Sequence, residues 1–212
     1  TLASMGIYIF SYPTLKKYLT ENELDETATK DFGKNVIPAM LENKEKLYAY
    51  RFSGYWKDVG TIDSLWDANM DLLNPVVPLD LYDQSWKIYS NNDSRAHHLI
   101  GRNAKVQNSM ITTGCIIEGT VDFSMISGGV TIEEGATVTD SILMPGATVK
   151  KGAVVEYAIV GESSVIEAGA HIGARPETIE NKSEWGIAVV GHDITVSQGT
   201  VVAPKQIISA DI

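Results

Sequence analysis

The segment GYWKDVGT, residues 54–61, places one carboxylate, Asp58, between Gly54 and Gly60. Mg²⁺ in proteins usually takes one or two carboxylates together with phosphate oxygens and water. A carboxylate that is fixed between two glycines and followed by a helix would suit this role, because the bend would hold it in place. The residues alone equally allow Asp58 to be a turn residue or a surface partner of Lys57.

One lysine and one cluster of basic side chains could bind anions. Lys57 could place a positive charge near a phosphate group, and it could equally be a solvated surface lysine. The cluster is a concentrated basic patch, which consists of Arg95, His97, His98 and Arg102. This patch could bind an anionic effector or could be a solvated part of a connector, and the sequence leaves both interpretations open.

The segment after Asp58 predicts the helix that would position it. Thr61 is a suitable N-cap, and apolar or small polar residues then recur at three- and four-residue spacing. They are Ile62, Leu65, Trp66, Asn69, Leu72 and Leu73. We therefore expect a helix with one apolar face, ended by Pro75 and Pro78.

The first fifty residues predict a mixture of strands and helices. Residues 5–10, MGIYIF, predict a buried strand, and residues 47–52, LYAYRF, predict another. Residues 13–19, PTLKKYL, predict a helix. Residues 31–43, DFGKNVIPAMLEN, predict a second helix that is interrupted by Pro38 or begins there.

From about residue 99 onwards, aliphatic residues recur in steps of five and six and predict a solenoid. Residues 17 apart repeat, so that three columns form: Ile132, Val149 and Ile166; Val138, Val155 and Ile172; Leu143 and Val160. Each period holds three short strands, with Gly135, Gly146, Gly152 and Gly169 at the corners. Ile117, Val121 and Ile126 predict a shortened coil, and Val190, Val196, Val202 and Ile208 resume the rhythm after an insertion.

The composition argues against polyanionic macromolecules as partners. Lys and Arg number 17 against 27 Asp and Glu, so the formal net charge is -10. Generic binding to nucleic acid or to an anionic membrane is therefore not expected, whereas a small phosphorylated substrate is compatible with a local cluster of donors. The single cysteine, Cys115, fits a small core residue and a reducing compartment. With no apolar run long enough to span a bilayer, a cytoplasmic location is expected.

Hexapeptide-type repeats of this kind resemble the left-handed parallel β-helix family, and the resemblance implies that hand. The motifs ASMGIYIF, DFGKNVIP and YWKDVGTIDSLWDANMDLL precede the repeats in this order. Together they resemble the bacterial glucose-1-phosphate adenylyltransferases, or ADP-glucose pyrophosphorylases, over essentially the whole chain. The resemblance implies synthesis of ADP-glucose and pyrophosphate from ATP and glucose 1-phosphate, in glycogen biosynthesis.

The resemblance also implies roles for single residues. Ser4 matches a glucose 1-phosphate contact, Asp58 matches a carboxylate that binds Mg²⁺, and Lys57 stands where many relatives carry Arg. Regulation of the family by anionic metabolites would give the basic patch of residues 95–102 a role as effector site. A homotetramer, with the solenoid contributing to subunit contacts, is implied as well.

The expected organisation has three parts. Residues 1–78 would be the end of a Rossmann-like α/β nucleotidyltransferase domain, residues 79–98 a connector, and residues 99–212 the left-handed β-helix. In the family, the glycine-rich nucleotide loop and the second metal carboxylate precede the position that Ser4 matches, and this sequence contains neither. We therefore expect the chain to be a C-terminal portion of the enzyme, inactive alone, with an exposed apolar face on its α/β remnant.

Two alternatives belong to other functional classes. A hexapeptide-repeat acyltransferase would need a general-base histidine on the solenoid, for which His171 and His192 are available, but residues 1–90 would then have no explanation. A non-catalytic regulatory homologue would keep the architecture and lose site residues. The presence of both Ser4 and Asp58 favours the catalytic branch.

Overall fold

The computed structural model describes residues 3–76, 79–89 and 94–212. The chain forms two compact units, Thr1–Trp56 and Lys57–Ile212. These units are defined by contacts within the chain and do not test the predicted domain boundary at residue 78, which stays a prediction. Pro78 and part of the predicted connector lie outside the described residues.

Helices form the regular structure of the first unit. Helix α1, Tyr12–Leu24, confirms the helix predicted around residues 13–19. A π-helical turn, Phe32–Val36, leads into α2, Ile37–Glu42. Pro38 lies in the first turn of α2, where its missing N–H leaves no helical hydrogen bond unmade, so the prediction of a helix that begins near this proline is confirmed. No helix within the described ranges is long and apolar enough to cross a membrane.

The two strands predicted in the first unit are wrong. Residues 5–10 and 47–52 have no regular secondary structure, and Ile9 is 99% exposed where burial was expected. A strand needs a neighbouring strand to take up its backbone hydrogen bonds, and no described residue pairs with either segment. The aromatic and β-branched residues indicate a preference for extended structure, but Ile7, Ile9, Tyr48 and Tyr50 are exposed instead. Phe10 and Leu47 pack against the buried cluster of Tyr18, Val36 and Met40.

Helix α3, Ile62–Asp71, opens the second unit and confirms the helix predicted after Asp58. Thr61 is its N-cap, as predicted, and forms a capping box with Ser64. The Ser64 amide donates to Thr61 Oγ1 at 3.2 Å, and the Thr61 amide donates to Ser64 Oγ at 3.1 Å. Two of the amides that a helix start leaves unpaired are thereby satisfied.

The rest of the second unit is a parallel solenoid of three six-stranded sheets. The first sheet contains β1 (Leu99–Ile100), β4 (Ile116–Ile117), β7 (Thr131–Ile132), β10 (Thr148–Val149), β13 (Val165–Ile166) and β16 (Thr195–Val196). The second contains β2 (Lys105–Gln107), β5 (Thr120–Asp122), β8 (Thr137–Thr139), β11 (Val154–Glu156), β14 (His171–Ile172) and β17 (Val201–Val202). The third contains β3 (Met110–Ile111), β6 (Met125–Ile126), β9 (Ile142–Leu143), β12 (Ala158–Val160), β15 (Ala188–Val190) and β18 (Ile207–Ile208).

The register confirms the predicted columns. Ile132 pairs with Val149 and Val149 with Ile166, and the columns that start at Val138 and Leu143 are equally continuous. These ladder residues are fully buried. The shortened coil is confirmed because Ile117 pairs with Ile132. The four predicted corner glycines all have positive φ, between 68° and 77°, a conformation that other residues rarely adopt.

The predicted insertion lies between β14 and β15 and contains two 3₁₀ turns, Pro176–Thr178 and Lys182–Glu184. After it the ladders resume without a shift. Val160 pairs with Val190 across the insertion, and Val190 pairs with Ile208 in the last coil. The insertion therefore lengthens one corner of the solenoid and leaves its register unchanged.

Serine side chains connect the coils at one corner. The amide of Ser124 donates to Ser109 Oγ at 3.1 Å, the amide of Ser141 donates to Ser124 Oγ at 3.2 Å, and the amide of Ala158 donates to Ser141 Oγ at 3.1 Å. Each hydroxyl in turn donates to a carbonyl of its own coil, as Ser141 does to Thr139 at 2.7 Å. This serine ladder satisfies backbone groups that are buried where the chain turns.

Helix α3 packs against the same corner. Met70 and Leu73 join a buried cluster with Ile142, Ile159 and Ile187 of the solenoid. The helix thus buries its apolar face against coils that lie far away in the sequence, and this burial fixes its position.

A row of aromatic rings completes this contact. The Trp66 indole N–H of α3 donates to the Asp140 carbonyl at 2.7 Å, and its ring lies 5.6 Å from Tyr157. Tyr157 lies 5.3 Å from Trp185 in an edge-to-face arrangement, and Trp185 donates to the Ala174 carbonyl at 2.8 Å. The row therefore joins α3 to the insertion across the corner of the solenoid.

The carboxyl group of Asp140 is partly buried at this corner. Burial raises the pKa of Asp140, and the attraction of Arg175 offsets only part of this effect, while Asp122 raises the pKa further. Across the pH range between the unfolded and the folded pKa, the folded state binds more protons than the unfolded state. Stability conferred by the neutral carboxyl group is therefore lost as pH rises through this range.

We expect Ile117→Ala to destabilise the solenoid by about 2–5 kcal/mol, because it removes a fully buried ladder residue and leaves a cavity. Its neighbour Ile116 lies on the same strand and is 42% exposed, so Ile116→Ala should cost only about 1 kcal/mol or less. Equilibrium urea unfolding, followed by circular dichroism, measures both values. Equal losses would contradict the assignment of the inward face.

We expect Asp140→Asn to raise the stability at pH 7, because it removes a partly buried charge and because Asn tolerates the positive φ of 49° at this position. The gain should shrink as pH falls through the folded pKa and should be lost well below the unfolded pKa of about 3.9, where both states hold a neutral carboxyl group. Urea unfolding at pH 7 and at a pH below the unfolded pKa measures it. Asp193→Asn is the matched control, since Asp193 also has positive φ and its side chain is 74% exposed. A pH-independent difference between Asp140→Asn and the parent would refute the assignment.

Candidate functional site

Asp58 lies in a sharp turn directly before α3. Its Oδ1 accepts a hydrogen bond from the Gly60 amide at 3.0 Å, which is an Asx turn, and its side chain is exposed. A carboxylate has about four lone-pair positions, so this bond leaves Oδ2 available. Asp58 is therefore a turn residue, as one interpretation of the sequence had it, that still presents an oxygen to solvent.

Lys57 is bound to α3. Its ammonium donates to the carboxylate of Asp67 and to Asp71 Oδ2, the latter at 2.7 Å. Asp67 and Asp71 are four residues apart and therefore lie on one side of the helix. Their hydrogen bonds raise the pKa of Lys57, which keeps the ammonium charged. The surface partners of Lys57 are thus two helix carboxylates.

Ser4 belongs to the first compact unit, whereas Asp58 belongs to the second. Ser4 Oγ accepts a hydrogen bond from the Gly6 amide at 3.1 Å and lies 2.9 Å from the hydroxyl of Tyr8. Its side chain is exposed. The two residues that the resemblance implies as site residues are therefore held by separate parts of the fold.

The basic patch lies at the first coil of the solenoid. Arg95, His97 and His98 precede β1, Arg102 follows it, and all four side chains are exposed. The Arg95 side chain lies over the turn at Gly129, where even an added Cβ would collide with its guanidinium group. Arg95 is therefore held against the neighbouring coils. The sequence pattern could not indicate this contact, because Gly129, which leaves room for the Arg95 side chain, lies in a different coil.

The two histidines of the acyltransferase alternative lie on the outside of the solenoid. His171 Nε2 is 3.7 Å from Glu156 Oε2, and Arg175 also binds this glutamate. His192 is exposed at a turn, with Nδ1 at 3.0 Å from Asp193 Oδ2. Cys115 is buried and its thiol donates to the Ser127 carbonyl, so the prediction of a core residue is confirmed.

The predicted metal site provides one carboxylate, that of Asp58. No group of three or more His, Cys, Asp or Glu residues that could hold a metal ion occurs in the part of the chain that the structure describes. Mg²⁺ commonly keeps several waters and takes one or two carboxylates together with substrate phosphates. The exposed, oriented carboxylate of Asp58 fits one of these positions.

Two family models match the chain. A nucleotidyl transferase model matches residues 1–75, and a model described as GlmU-like, C-terminal hexapeptide matches residues 94–202. The first model covers the helices of the first unit together with α3, and the second covers most of the solenoid. The predicted fold class is confirmed: a nucleotidyl transferase region precedes a parallel solenoid of hexapeptide repeats.

Curated relatives confirm the resemblance to glucose-1-phosphate adenylyltransferases. The protein with this name from Clostridium beijerinckii is 57% identical over 139 residues, which cover 66% of this chain and 36% of that protein. The one from Bacillus cereus is 52% identical over 205 residues, which cover 97% of this chain and 46% of that protein. The chain thus spans less than half the length of these relatives. Since the hexapeptide model covers more than half of its residues, the chain belongs to the GlmU-like C-terminal hexapeptide family.

Proposed function

We propose that the protein containing this chain is a glucose-1-phosphate adenylyltransferase, which converts ATP and glucose 1-phosphate to ADP-glucose and pyrophosphate. The names of relatives at 52% identity over nearly the whole chain support the proposal. The observation that carries it is Asp58, an exposed carboxylate in a turn attached to a firmly packed helix. The product would serve glycogen biosynthesis.

The reaction joins two anions. A phosphate oxygen of glucose 1-phosphate attacks the α-phosphorus of ATP, a new P–O bond forms, and the bond to pyrophosphate breaks. The protein's contribution to such a transfer is mainly the positioning of the two substrates and the neutralisation of their charge. A site of this kind therefore needs oriented carboxylates for a cation and hydrogen-bond donors for the phosphates.

Asp58 would hold Mg²⁺ through the oxygen that the Gly60 amide leaves available. Bound Mg²⁺ would neutralise charge on the phosphate oxygens. Ser4 would contact glucose 1-phosphate, for which its exposed hydroxyl is suited. Asp67 and Asp71 take two of the three N–H donors of Lys57, and its assignment as a substrate contact stays a prediction.

The assembly, the location and the regulation of the protein are also proposals. A homotetramer and a cytoplasmic location follow from the family resemblance. The exposed residues Arg95, His97, His98 and Arg102 would form the site for an anionic effector. The acyltransferase alternative is less well supported, because it gives no role to the nucleotidyl transferase region of residues 1–75.

We expect Asp58→Asn in the complete protein to lower kcat by about 100-fold or more. Substituting a residue that only orients a metal ligand typically lowers metal affinity or activity by about 10- to 100-fold, and losing the ligand itself should have at least this effect. Pyrophosphate release from ATP and glucose 1-phosphate with Mg²⁺ measures it. Asp63→Asn is the control, since Asp63 is an acidic residue of the first turn of α3. Full activity of Asp58→Asn would contradict the metal role. Inactivity of the unsubstituted complete protein would favour the non-catalytic regulatory homologue.

We expect the 212-residue chain alone to form no ADP-glucose, because its sequence contains no glycine-rich loop for the nucleotide phosphates. The same pyrophosphate assay measures this, with the complete protein as the positive control. Turnover by the chain alone would show that its own residues bind ATP and would overturn the expectation.

A further inference from the structure

We propose that Asp67 and Asp71 are positioning residues that hold the carboxylate of Asp58 in place through Lys57. The proposal deepens the proposed function and rests on it, because Asp58 is the residue assigned to the metal. Asp67 and Asp71 would touch neither the substrates nor the cation. They would act on the segment that carries Asp58.

The segment Lys57–Thr61 is tied to α3 at both of its ends. At its start, the Lys57 ammonium binds Asp67 and Asp71 in the second half of the helix. At its end, Thr61 caps the helix through the capping box. Between these points, the Asx turn of Asp58 is the only tie that Asp58 itself makes among the described contacts. The orientation of the Asp58 carboxylate therefore depends on both ends of the segment.

The glycines around the segment make such ties necessary. Gly54 and Gly60 flank Asp58, and glycine has the largest conformational freedom of all residues. An Asx turn alone fixes the carboxylate relative to Gly60 but does not fix Gly60 relative to the rest of the protein. The ammonium of Lys57 supplies this second constraint, because Lys57 is the residue next to Asp58.

The charges at Lys57 favour an anchor over a contact to phosphate. One ammonium lies between two carboxylates, so the group of three side chains carries a net charge of about -1. Such a group repels a phosphate and suits the neighbourhood of a cation. The Lys57 and Asp71 side chains are only 25% and 26% exposed, so water screens their attraction less than that of an ordinary surface pair.

Helix α3 can serve as the fixed point because the solenoid holds it. Trp66 and Met70, the residues directly before Asp67 and Asp71, lie in the contact with the solenoid. The apolar side of the helix therefore binds the solenoid, and the adjoining side binds Lys57. Through these contacts the position of Asp58 depends on the β-solenoid.

The test compares four variants of the complete protein. The double variant Asp67→Asn/Asp71→Asn removes both charges from the anchor while it keeps the side-chain shapes, and Lys57→Met removes the ammonium. Lys57→Arg keeps a cation with several N–H donors and should therefore keep most of the activity and most of the protection from hydrogen exchange. Asp63→Asn changes an acidic residue of the same helix that the proposal leaves without a role.

The first readout is the dependence of the rate on Mg²⁺. The double variant and Lys57→Met should both need about 10- to 100-fold more Mg²⁺ for half-maximal activity, which is typical for the loss of a residue that orients a ligand. Their KM for glucose 1-phosphate should change little. Combining the three substitutions should add little to either effect, because all of them break the same anchor.

The second readout does not need activity. Hydrogen exchange of the backbone amides of residues 58–61 in the metal-free protein should be faster in the double variant and in Lys57→Met than in Asp63→Asn. This measurement separates the two proposals. If the unsubstituted protein makes no ADP-glucose, the proposed function fails, and exchange still decides whether the anchor exists.

Two results would overturn the inference. One is unchanged exchange at residues 58–61 in the double variant. The other is a raised KM for glucose 1-phosphate in Lys57→Met, together with unaltered Mg²⁺ dependence in the double variant. This second result would make Lys57 a direct contact to the substrate phosphate, as its place in the family motif implies.

Discussion

The stacking of aliphatic side chains inside the solenoid is the contact on which the remaining structure depends. Each ladder residue lies on its equivalent in the previous coil, for example Val149 on Ile132, and the burial of these residues favours one register over all others. This register brings Ser124 below Ser141 at the corner, so that buried amides find acceptors. It also produces the surface on which α3 packs. A slip of one residue between neighbouring coils would remove both the serine hydrogen bonds and this surface.

The candidate metal carboxylate is part of the solenoid unit, although the nucleotidyl transferase model includes it. That model extends over residues 1–75, whereas the compact unit that contains α3 begins at Lys57. Asp58 thus directly precedes a helix whose apolar side packs against the solenoid. A change in the solenoid surface under α3 would therefore reach the segment that carries Asp58 through the packing of this helix.

Periodicity predicted the solenoid because the burial of every ladder residue follows from a local repeat, as at Ile132 and Val149. The same approach failed for residues 5–10, because a strand exists only with a partner strand and hydrophobic pattern alone does not supply one. The anchor at Lys57 also could not be predicted. Its partners lie ten and fourteen residues away, at Asp67 and Asp71, and only the fold brings them together. The motif therefore identified Asp58 but not what holds it.

The insertion between β14 and β15 has a consequence for how such proteins diversify. Val160 and Val190 pair as if the extra residues were absent, while Trp185 of the insertion reaches Tyr157 beside α3. A corner of the solenoid can therefore gain a loop without disturbing the coils on either side. By changing this single loop, related chains can present a different surface beside α3 while the register of the coils stays the same.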